Sequence, residues 1–269
     1  MDADSRLVAP LVDCHHHVYD VRLPAVPGTR ASMDAPLPAF RAMAQRVGIT
    51  HHVLVQPSTY GFDNALHLAA RAERPGRSVV VAVIPPDTAA AECRDLAARG
   101  VVGLRANLVH SPGADVAALG RLCADQGWHL QVFATADAIA GLAPVLRALP
   151  CPLVLDHYAG LPVRGFAQHA AWEVVADMLD AGRAWIKLSS PYALPGWHDG
   201  GWGDLVPLTQ ALAEVGESNL VWGTNWPHPN TDAPQDEATL LRGILAPLTT
   251  GQAEAVRWNN PARLYGFAA

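Results

Sequence analysis

The sequence lacks the features of a membrane protein or of a secreted disulfide scaffold. No run of about 18 apolar residues occurs, and the N-terminal segment MDADSRLVAP has acidic residues where a signal peptide needs positive charge. The few cysteines are widely spaced and form no CxxC pair, which predicts reduced core thiols at Cys14, Cys93, Cys123 and Cys151. We therefore expect a cytoplasmic protein with no membrane partner.

Positive charge is scarce and scattered. The formal net charge is −6, and the 19 Lys and Arg residues form no cluster along the chain. Nucleic acids and anionic membranes are bound through concentrated basic patches, so this pattern argues against both as partners. A small molecule is the expected ligand.

Short β-rich runs alternate with helical stretches along the whole chain. The runs lie at 11–15, 52–56, 78–84, 101–106, 128–133, 152–156, 184–189 and 219–224. Stretches with helical spacing separate them, at 64–74, 89–99, 116–126, 136–149, 168–182 and 204–216. The alternation predicts an α/β fold, a (β/α)8 TIM barrel formed by residues 1–269 as a single domain. A doubly wound open sheet is the alternative, but no glycine-rich fingerprint follows the first run.

Three consecutive histidines end the first predicted strand. Side chains alternate along a strand, which predicts one face with Asp13, His15 and His17 and an opposite face with Val12, Cys14 and His16. Active sites of such barrels lie at the C-terminal ends of the strands, so we expect His15 and His17 to point into the mouth. Two imidazoles aimed at one point suit metal coordination or the polarising of a substrate carbonyl. Two buried structural histidines are the alternative.

The ends of the other predicted strands also contain polar residues. They are Gln56 and Ser58, Arg105 and Asn107, Gln131 and Phe133, Asp156 and His157, Lys187 and Ser189, and Asn225. Each polar residue alone could form a structural ion pair or satisfy loop backbone groups. Their recurrence at one end of one barrel predicts a catalytic pocket.

Several segments together resemble the amidohydrolase superfamily, in the amidohydrolase-2 branch that contains the pyrone dicarboxylate lactonases. They are DCHHH, VLVQPSTYGFDN, GLRANL, VLDHYAG, IKLSSPY, WGTNWPHPN and NPARLYGF, which extend from residue 11 to about residue 267. The resemblance implies a (β/α)8 barrel that hydrolyses a lactone or cyclic ester. It also implies that water attacks a carbonyl polarised by His15, His17 and His157.

Asn225 departs from this family pattern, which has an aspartate at the end of strand eight to take a proton from the attacking water. A neutral amide has no useful basicity, so ordinary hydrolysis is expected to be impaired. The replacement is either natural or engineered, and His228 or a strand-end histidine could replace the base. A decarboxylase, isomerase or cyclase, or a silent ligand-binding barrel using the same pocket, is the alternative function.

The family's carboxylate-binding positions are only partly kept. Arg105 is present, but the positions that resemble the other arginines and tyrosines hold Ser111, Phe133 and Ala193, which predicts a ligand with one carboxylate or none. The predicted substrate-binding residues are Arg105, Gln56, Ser58, Asn107, Gln131, Lys187, Tyr192, Trp226 and His228.

No cofactor is expected, because Asn225 removes the one anionic ligand that the family pattern would offer a metal. A Zn²⁺ ion is nevertheless compatible with three imidazoles and would be held by His15, His17 and His157.

Overall fold

A computed structural model describes residues 10–268, and it contains one sheet of eight parallel strands hydrogen-bonded in sequence order. The strands β1 to β8 are Val12–His16, His51–Val55, Ser78–Ala82, Val101–Asn107, His129–Phe133, Leu153–Leu155, Ala184–Leu188 and Leu220–Trp222. Each predicted run is a strand, with bounds that differ by at most two residues. The (β/α)8 barrel is confirmed. The N-terminal segment used to argue against a signal peptide lies mostly outside the described residues.

Helices follow the strands and form the outer layer. They are α1 Leu37–Val47, α2 Ala65–Ala72, α3 Ala90–Ala98, α4 Val116–Gln126, α5 Ala136–Gly141, α6 Ala143–Arg147, α7 Ala170–Asp180, α8 Trp197–Gly200, α9 Trp202–Gly216, α10 Glu237–Leu245, α11 Thr250–Glu254 and α12 Asn260–Tyr265. Within residues 10–268, no helix is long and apolar enough to span a bilayer. The single helix predicted over 136–149 is two helices, with Pro144 near the start of the second, where it needs no backbone donor.

Helix α1 was not singled out from the sequence, although it packs closely on the barrel. It buries Leu37, Phe40, Met43 and Ala44, which follow helical spacing on one face. Prolines are frequent at its N-terminal end, so the sequence of this short segment is not typical of a helix. Gly48, with φ 85°, ends it in the left-handed conformation.

The apolar core has two layers, which the alternation of the strands separates. The larger layer packs outward-facing strand residues such as Leu54, Val80 and Leu104 against the helices. The smaller one contains inward-facing strand residues and is closed at its base by residues from the C-terminal helical segment. Its members are Val12, Cys14, Val53, Val55, Val79, Val81, Val154, Trp185, Val221 and Tyr265. The lumen is therefore a packed core, with room for polar chemistry only at the C-terminal end.

His15 and His17 point inward and His16 outward as predicted, but the predicted grouping of Val12 and Cys14 with His16 is wrong, because the strand contains a bulge. Val12 and Cys14 belong to the inner layer, whereas His16 stacks on Phe40 of α1 with 3.6 Å between ring centroids. Asp13 pairs with His52 and His16 with Leu54, so three steps on β1 match two on β2. The extra residue reverses the alternation after Cys14. His15 and His17 point into the barrel for this reason, and a regular strand would have turned them toward the helices.

The barrel closes between β1 and β8 through a seam rather than a ladder. In the described chain the only backbone bridge there joins His16 and Trp226. The Asp13 carboxyl accepts hydrogen bonds from the Thr224 backbone N (2.9 Å) and Oγ1 (2.6 Å). Gly223 is required at the seam, because a Cβ there would lie 2.7 Å from the Cβ of His15. The motif WGTN therefore brings β8 against the first histidine.

The charge state of Asp13 should make the stability of this seam depend on pH. Burial raises the pKa of Asp13 from 3.8 to about 7, against the lowering effect of its hydrogen bonds with Thr224 and His15. Between these values the folded chain holds a proton that the unfolded chain has released. The free energy of unfolding should therefore fall as the pH rises through this window.

Asp13→Asn should remove this pH-dependent contribution, because the amide still accepts from Thr224 and never ionises. Urea unfolding at about pH 4.5 and about pH 7.5 should show the native chain losing stability relative to the variant at the higher pH. Asp180→Asn, at an exposed aspartate of α7, is the control. If the free energies of unfolding of the native chain and the variant differ by the same amount at both pH values, the prediction is contradicted.

Candidate active site

The C-terminal end of the barrel gathers the polar residues predicted at the strand ends. Those that are buried there are His15, His17, Arg105, Gln131, Asp156, His157, Lys187, Ser189 and Asn225. They come from six of the eight strands or from the residues directly after them. Parallel strands leave their carboxyl ends at one rim, which is why residues far apart in sequence meet.

His15 and His17 face one another across the mouth. Their Nε2 atoms are 3.3 Å apart. His17 Nδ1 lies 2.7 Å from the Val55 carbonyl oxygen, so this nitrogen donates its hydrogen and Nε2 has a lone pair. Burial holds the pKa of both imidazoles well below the usual value, so both are neutral at pH 7.

The hydrogen on His15 is decided by Asp156 and Lys187. His15 Nδ1 is 3.2 Å from Asp156 Oδ1 and 3.4 Å from Lys187 Nζ. If Nδ1 donates to the carboxylate, the two Nε2 lone pairs face each other and need a cation between them. If Nδ1 accepts from Lys187, His15 Nε2 donates to His17 and the pair is satisfied without a metal.

The histidines fit a zinc ion. Two imidazole nitrogens on a tetrahedral Zn²⁺, each at about 2.0–2.1 Å, lie roughly 3.3–3.4 Å apart, which matches the separation of His15 and His17. The ligand atoms that all lie within 4.8 Å of one another belong to His15, Asp156 and His157, so this cluster contains Asp156 in place of the predicted His17. Lys187 opposes this, since its ammonium lies 3.4 Å from His15.

Asp156 connects the buried charges beneath the histidines. Its Oδ2 accepts from Arg105 Nε and Nη2, both at 3.3 Å, and from Gln131 Nε2 at 3.0 Å. Lys187 Nζ lies 3.6 Å from Oδ1 and donates to Gln131 Oε1 at 2.6 Å. Burial would raise the pKa of Asp156, but His15, Lys187 and Arg105 hold it well below 3.8. One carboxylate and two cations leave a net positive charge that favours an anionic ligand.

Lys187 is the only lysine in the chain and is completely buried. Burial lowers its pKa to about 8, against the opposing effect of Asp156. It therefore stays mainly protonated at pH 7. A single lysine at the end of a predicted strand is a further sequence signal for this site.

His157 is held in place by a strained turn. His157, Tyr158 and Ala159 have φ values of 50°, 55° and 56°, which non-glycine residues rarely adopt. Gly160 completes the turn, because a Cβ there would lie 2.7 Å from the Ala134 carbonyl oxygen. His157 Nδ1 lies 2.7 Å from Ser189 Oγ, whereas Nε2 is buried with no partner in the described part of the chain. Burial lowers the pKa of this imidazole to about 4.

Asn225 begins a chain of hydrogen bonds that leads away from the histidines. Its Nδ2 donates to the Tyr192 hydroxyl at 3.1 Å, and that hydroxyl lies 2.9 Å from His228 Nδ1. His228 Nε2 lies 3.4 Å from Glu237 Oε1. Tyr192 and His228 were predicted site residues. Glu237 was not, because it begins α10 and no motif points to it.

Two predicted substrate-binding residues have contacts with the protein itself. Gln56 donates its amide to the carbonyls of Gly61 and Asp63, which fixes the loop after β2. The Trp226 indole packs on Phe40 of α1, with 5.6 Å between ring centroids. Gln56 Oε1 is nevertheless buried with no partner in the described residues, and a substrate contact of either side chain stays a prediction.

The mouth contains a small cavity of about 40 Å³ beside a larger cleft. The cavity is lined by residues that include His17, Arg105, Asn107, Phe133 and Asn225. Asn107 Nδ2 donates to Ser58 Oγ at 2.7 Å on its wall. Phe133 also borders a cleft of about 500 Å³, whose other walls include Val109, Pro162, Ala193 and Pro195. Its lining includes His169 and Asp137 but neither arginine nor lysine.

Comparison with known proteins identifies the family. A 4-sulfomuconolactone hydrolase from Rhizobium radiobacter is 30% identical over 246 residues, which cover 87% of this chain and 81% of the relative. A 2-pyrone-4,6-dicarboxylate hydrolase from Comamonas testosteroni is 28% identical over 280 residues, covering 97% and 91%. A solved structure from Pseudomonas putida, described as a 2-pyrone-4,6-dicarboxylic acid hydrolase, matches with a TM-score of 0.87 at 26% identity and covers 98% of this chain and 100% of that one. The sequence model of the amidohydrolase family matches residues 12–267, and the chain therefore belongs to this family.

Proposed function

We propose that this chain hydrolyses a lactone or related cyclic ester that carries one carboxylate or none. The observation that carries the proposal is that the buried polar atoms without a hydrogen-bond partner in residues 10–268 include two at the barrel mouth, His157 Nε2 and Asn225 Oδ1. Unsatisfied buried polar atoms are costly in a folded protein and are expected where a ligand completes the bonding. The names of the relatives, which are hydrolases of a lactone and of a pyrone, support the same class of substrate.

In the proposed reaction, the oxygen of a water molecule bonds to the carbonyl carbon and the bond to the ring oxygen breaks. The ring oxygen takes a proton, and the product is an open-chain hydroxy acid. His157 is suited to polarise the carbonyl, because Ser189 can donate to its Nδ1 and leave Nε2–H free to donate. His15 and His17 satisfy each other when Lys187 donates to His15.

Arg105 is suited to bind the carboxylate of the substrate. Three of its five N–H groups are used by Asp156 and the Gln56 carbonyl, and two remain. Asn107 and Ser58 line the same cavity. The neighbouring cleft is apolar at Phe133 and Ala193, two of the positions where the family pattern has carboxylate-binding side chains. A second carboxylate would therefore lose hydration there without a cation to replace it.

A zinc ion bound by His15, His17 and His157 would supply Lewis-acid polarisation of the carbonyl and a more acidic water. The chain's own charges favour the metal-free form, because Lys187 and Arg105 together outweigh Asp156. Protein purified without chelator should therefore contain well below one zinc per chain.

Lys187→Met should increase zinc affinity by about tenfold or more, because it removes a cation beside a ligand and leaves Asp156 paired with Arg105. Elemental analysis would measure the zinc content of the native protein, and competitive zinc titration would measure the zinc affinity of the native chain and the variant. Arg121→Met, at an exposed arginine of α4, is the control for loss of one positive charge. Stoichiometric zinc in the native protein, or unchanged affinity in the variant, would contradict the metal-free proposal.

The proposed activity can be tested by following ring opening with a panel of five- and six-membered lactones. The native chain should hydrolyse at least one of them, and Asn225→Asp should raise kcat by about tenfold or more, because a carboxylate is a better base than an amide. His157→Asn should lower kcat/KM by about a hundredfold. If neither the native chain nor Asn225→Asp opens any lactone, the barrel is a binding protein or catalyses a non-hydrolytic reaction.

Arg105→Met tests the carboxylate site. It should raise KM by about tenfold for a lactone with one carboxylate and leave KM for a neutral lactone within about twofold, because only the first loses its charge partner. Arg121→Met is again the control. Equal changes for the charged and neutral lactones would assign Arg105 to structure rather than to substrate binding.

A further inference from the structure

We propose that Asn225, Tyr192, His228 and Glu237 form a proton relay that replaces the missing strand-eight carboxylate. This inference rests on the proposed hydrolysis. The four side chains are connected in sequence at 3.1, 2.9 and 3.4 Å, and the last of them is a carboxylate. Their relative exposures are 0%, 7%, 7% and 9%, so solvent does not compete strongly for these bonds.

The direction of each hydrogen bond follows from Glu237. A carboxylate only accepts, so His228 donates to Glu237 from Nε2, and the tautomer with its one hydrogen on Nε2 leaves a lone pair on Nδ1. The Tyr192 hydroxyl then donates to Nδ1, and its oxygen accepts from Asn225 Nδ2. The Ser190 hydroxyl, 3.4 Å away, is a second donor to that oxygen. This order leaves Asn225 Oδ1 as the free acceptor at the start of the chain.

Asn225 Oδ1 is placed to receive a proton. It is buried without a partner in the described residues, and Asn225 lines the small cavity with His17 and Arg105. His228 cannot serve that cavity directly, because its Nδ1 is used by Tyr192. The hydrogen bonds that connect the cavity to the Glu237 carboxylate therefore begin at the Asn225 amide.

Each side chain of the relay takes up one proton and gives up another, except Glu237, which holds the proton until the ring oxygen leaves. As water attacks, Asn225 Oδ1 takes its proton while Nδ2 passes one to the Tyr192 oxygen, whose own hydrogen moves to His228 Nδ1. His228 Nε2 passes its hydrogen to Glu237, and Asn225 becomes the imidic acid. When the ring oxygen leaves, Oδ1–H protonates it, and the reverse shifts restore the amide and the Glu237 carboxylate.

Asn225 and His228 both have strained backbone conformations, at the two ends of one short turn. Their φ values are 59° and 65°, in a region that costs non-glycine residues about 1–3 kcal/mol each. The His228 backbone N donates to the Asn225 carbonyl oxygen at 2.6 Å, which fixes the turn between them.

The test compares relay variants in two backgrounds. In the native chain, Tyr192→Phe and Glu237→Gln should each lower kcat by about tenfold or more on the best lactone, because either change interrupts the proton path. In Asn225→Asp, the same two changes should lower kcat by less than about threefold, because the new carboxylate takes the proton itself. Tyr265→Phe, which removes a buried hydroxyl at the base of the barrel, is the matched control.

A solvent isotope experiment separates proton transfer from positioning. In mixtures of H₂O and D₂O, a plot of kcat against deuterium fraction should be curved for the native chain, because several protons move in the transition state. The same plot should be linear for Asn225→Asp, because one proton moves. Glu237 lies at the start of a surface helix, so Glu237→Gln tests the relay even if Tyr192→Phe fails to fold.

The outcomes distinguish the relay from the proposed function. Lactone hydrolysis in the native chain that is unaffected by Tyr192→Phe and Glu237→Gln overturns the relay and leaves the function standing. Equal losses in both backgrounds also overturn it, because they indicate a structural role. No hydrolysis by either the native chain or Asn225→Asp overturns the proposed function, and the relay with it.

Discussion

The buried carboxylate of Asp156 is the interaction on which the site depends. It lies among Arg105, Lys187, Gln131 and His15, and its negative charge allows two cations to stay ionised inside the barrel. Removing one partner of a buried ion pair typically costs about 3–5 kcal/mol, because the other charge is left uncompensated. The same group helps to decide which nitrogen of His15 has the hydrogen. Charge balance, stability and the chemistry of the first histidine therefore depend on one side chain.

The seam between β1 and β8 adds a second constraint. The site lies where the barrel closes, so the bulge that turns His15 inward and the glycine that admits β8 are both part of the active-site geometry. Asp13 closes this seam with its hydrogen bonds to Thr224. A change that relaxes the seam would move His15 relative to His157 without touching either imidazole.

Asn225 has a different meaning in the sequence and in the structure. Considered alone, an amide at the position of a base indicates impaired hydrolysis. Considered with Tyr192, His228 and Glu237, it is the first member of a directed chain of hydrogen bonds. The distinction depends on partners that the sequence places 33 positions before and 12 after it, counted from the residue numbers.

The sequence by itself determined the eight strands, the barrel and the convergence of polar residues at one rim, because alternating apolar patterns and the order of elements are local properties. It did not determine the bulge that turns His15 inward, the loop contacts of Gln56, or the hydrogen bond between His228 and Glu237. A one-residue bulge, a loop contact and a hydrogen-bond chain depend on which distant atoms meet after packing. Only the tertiary structure decided these, because a side chain's direction and partner are set by the neighbours that folding brings to it.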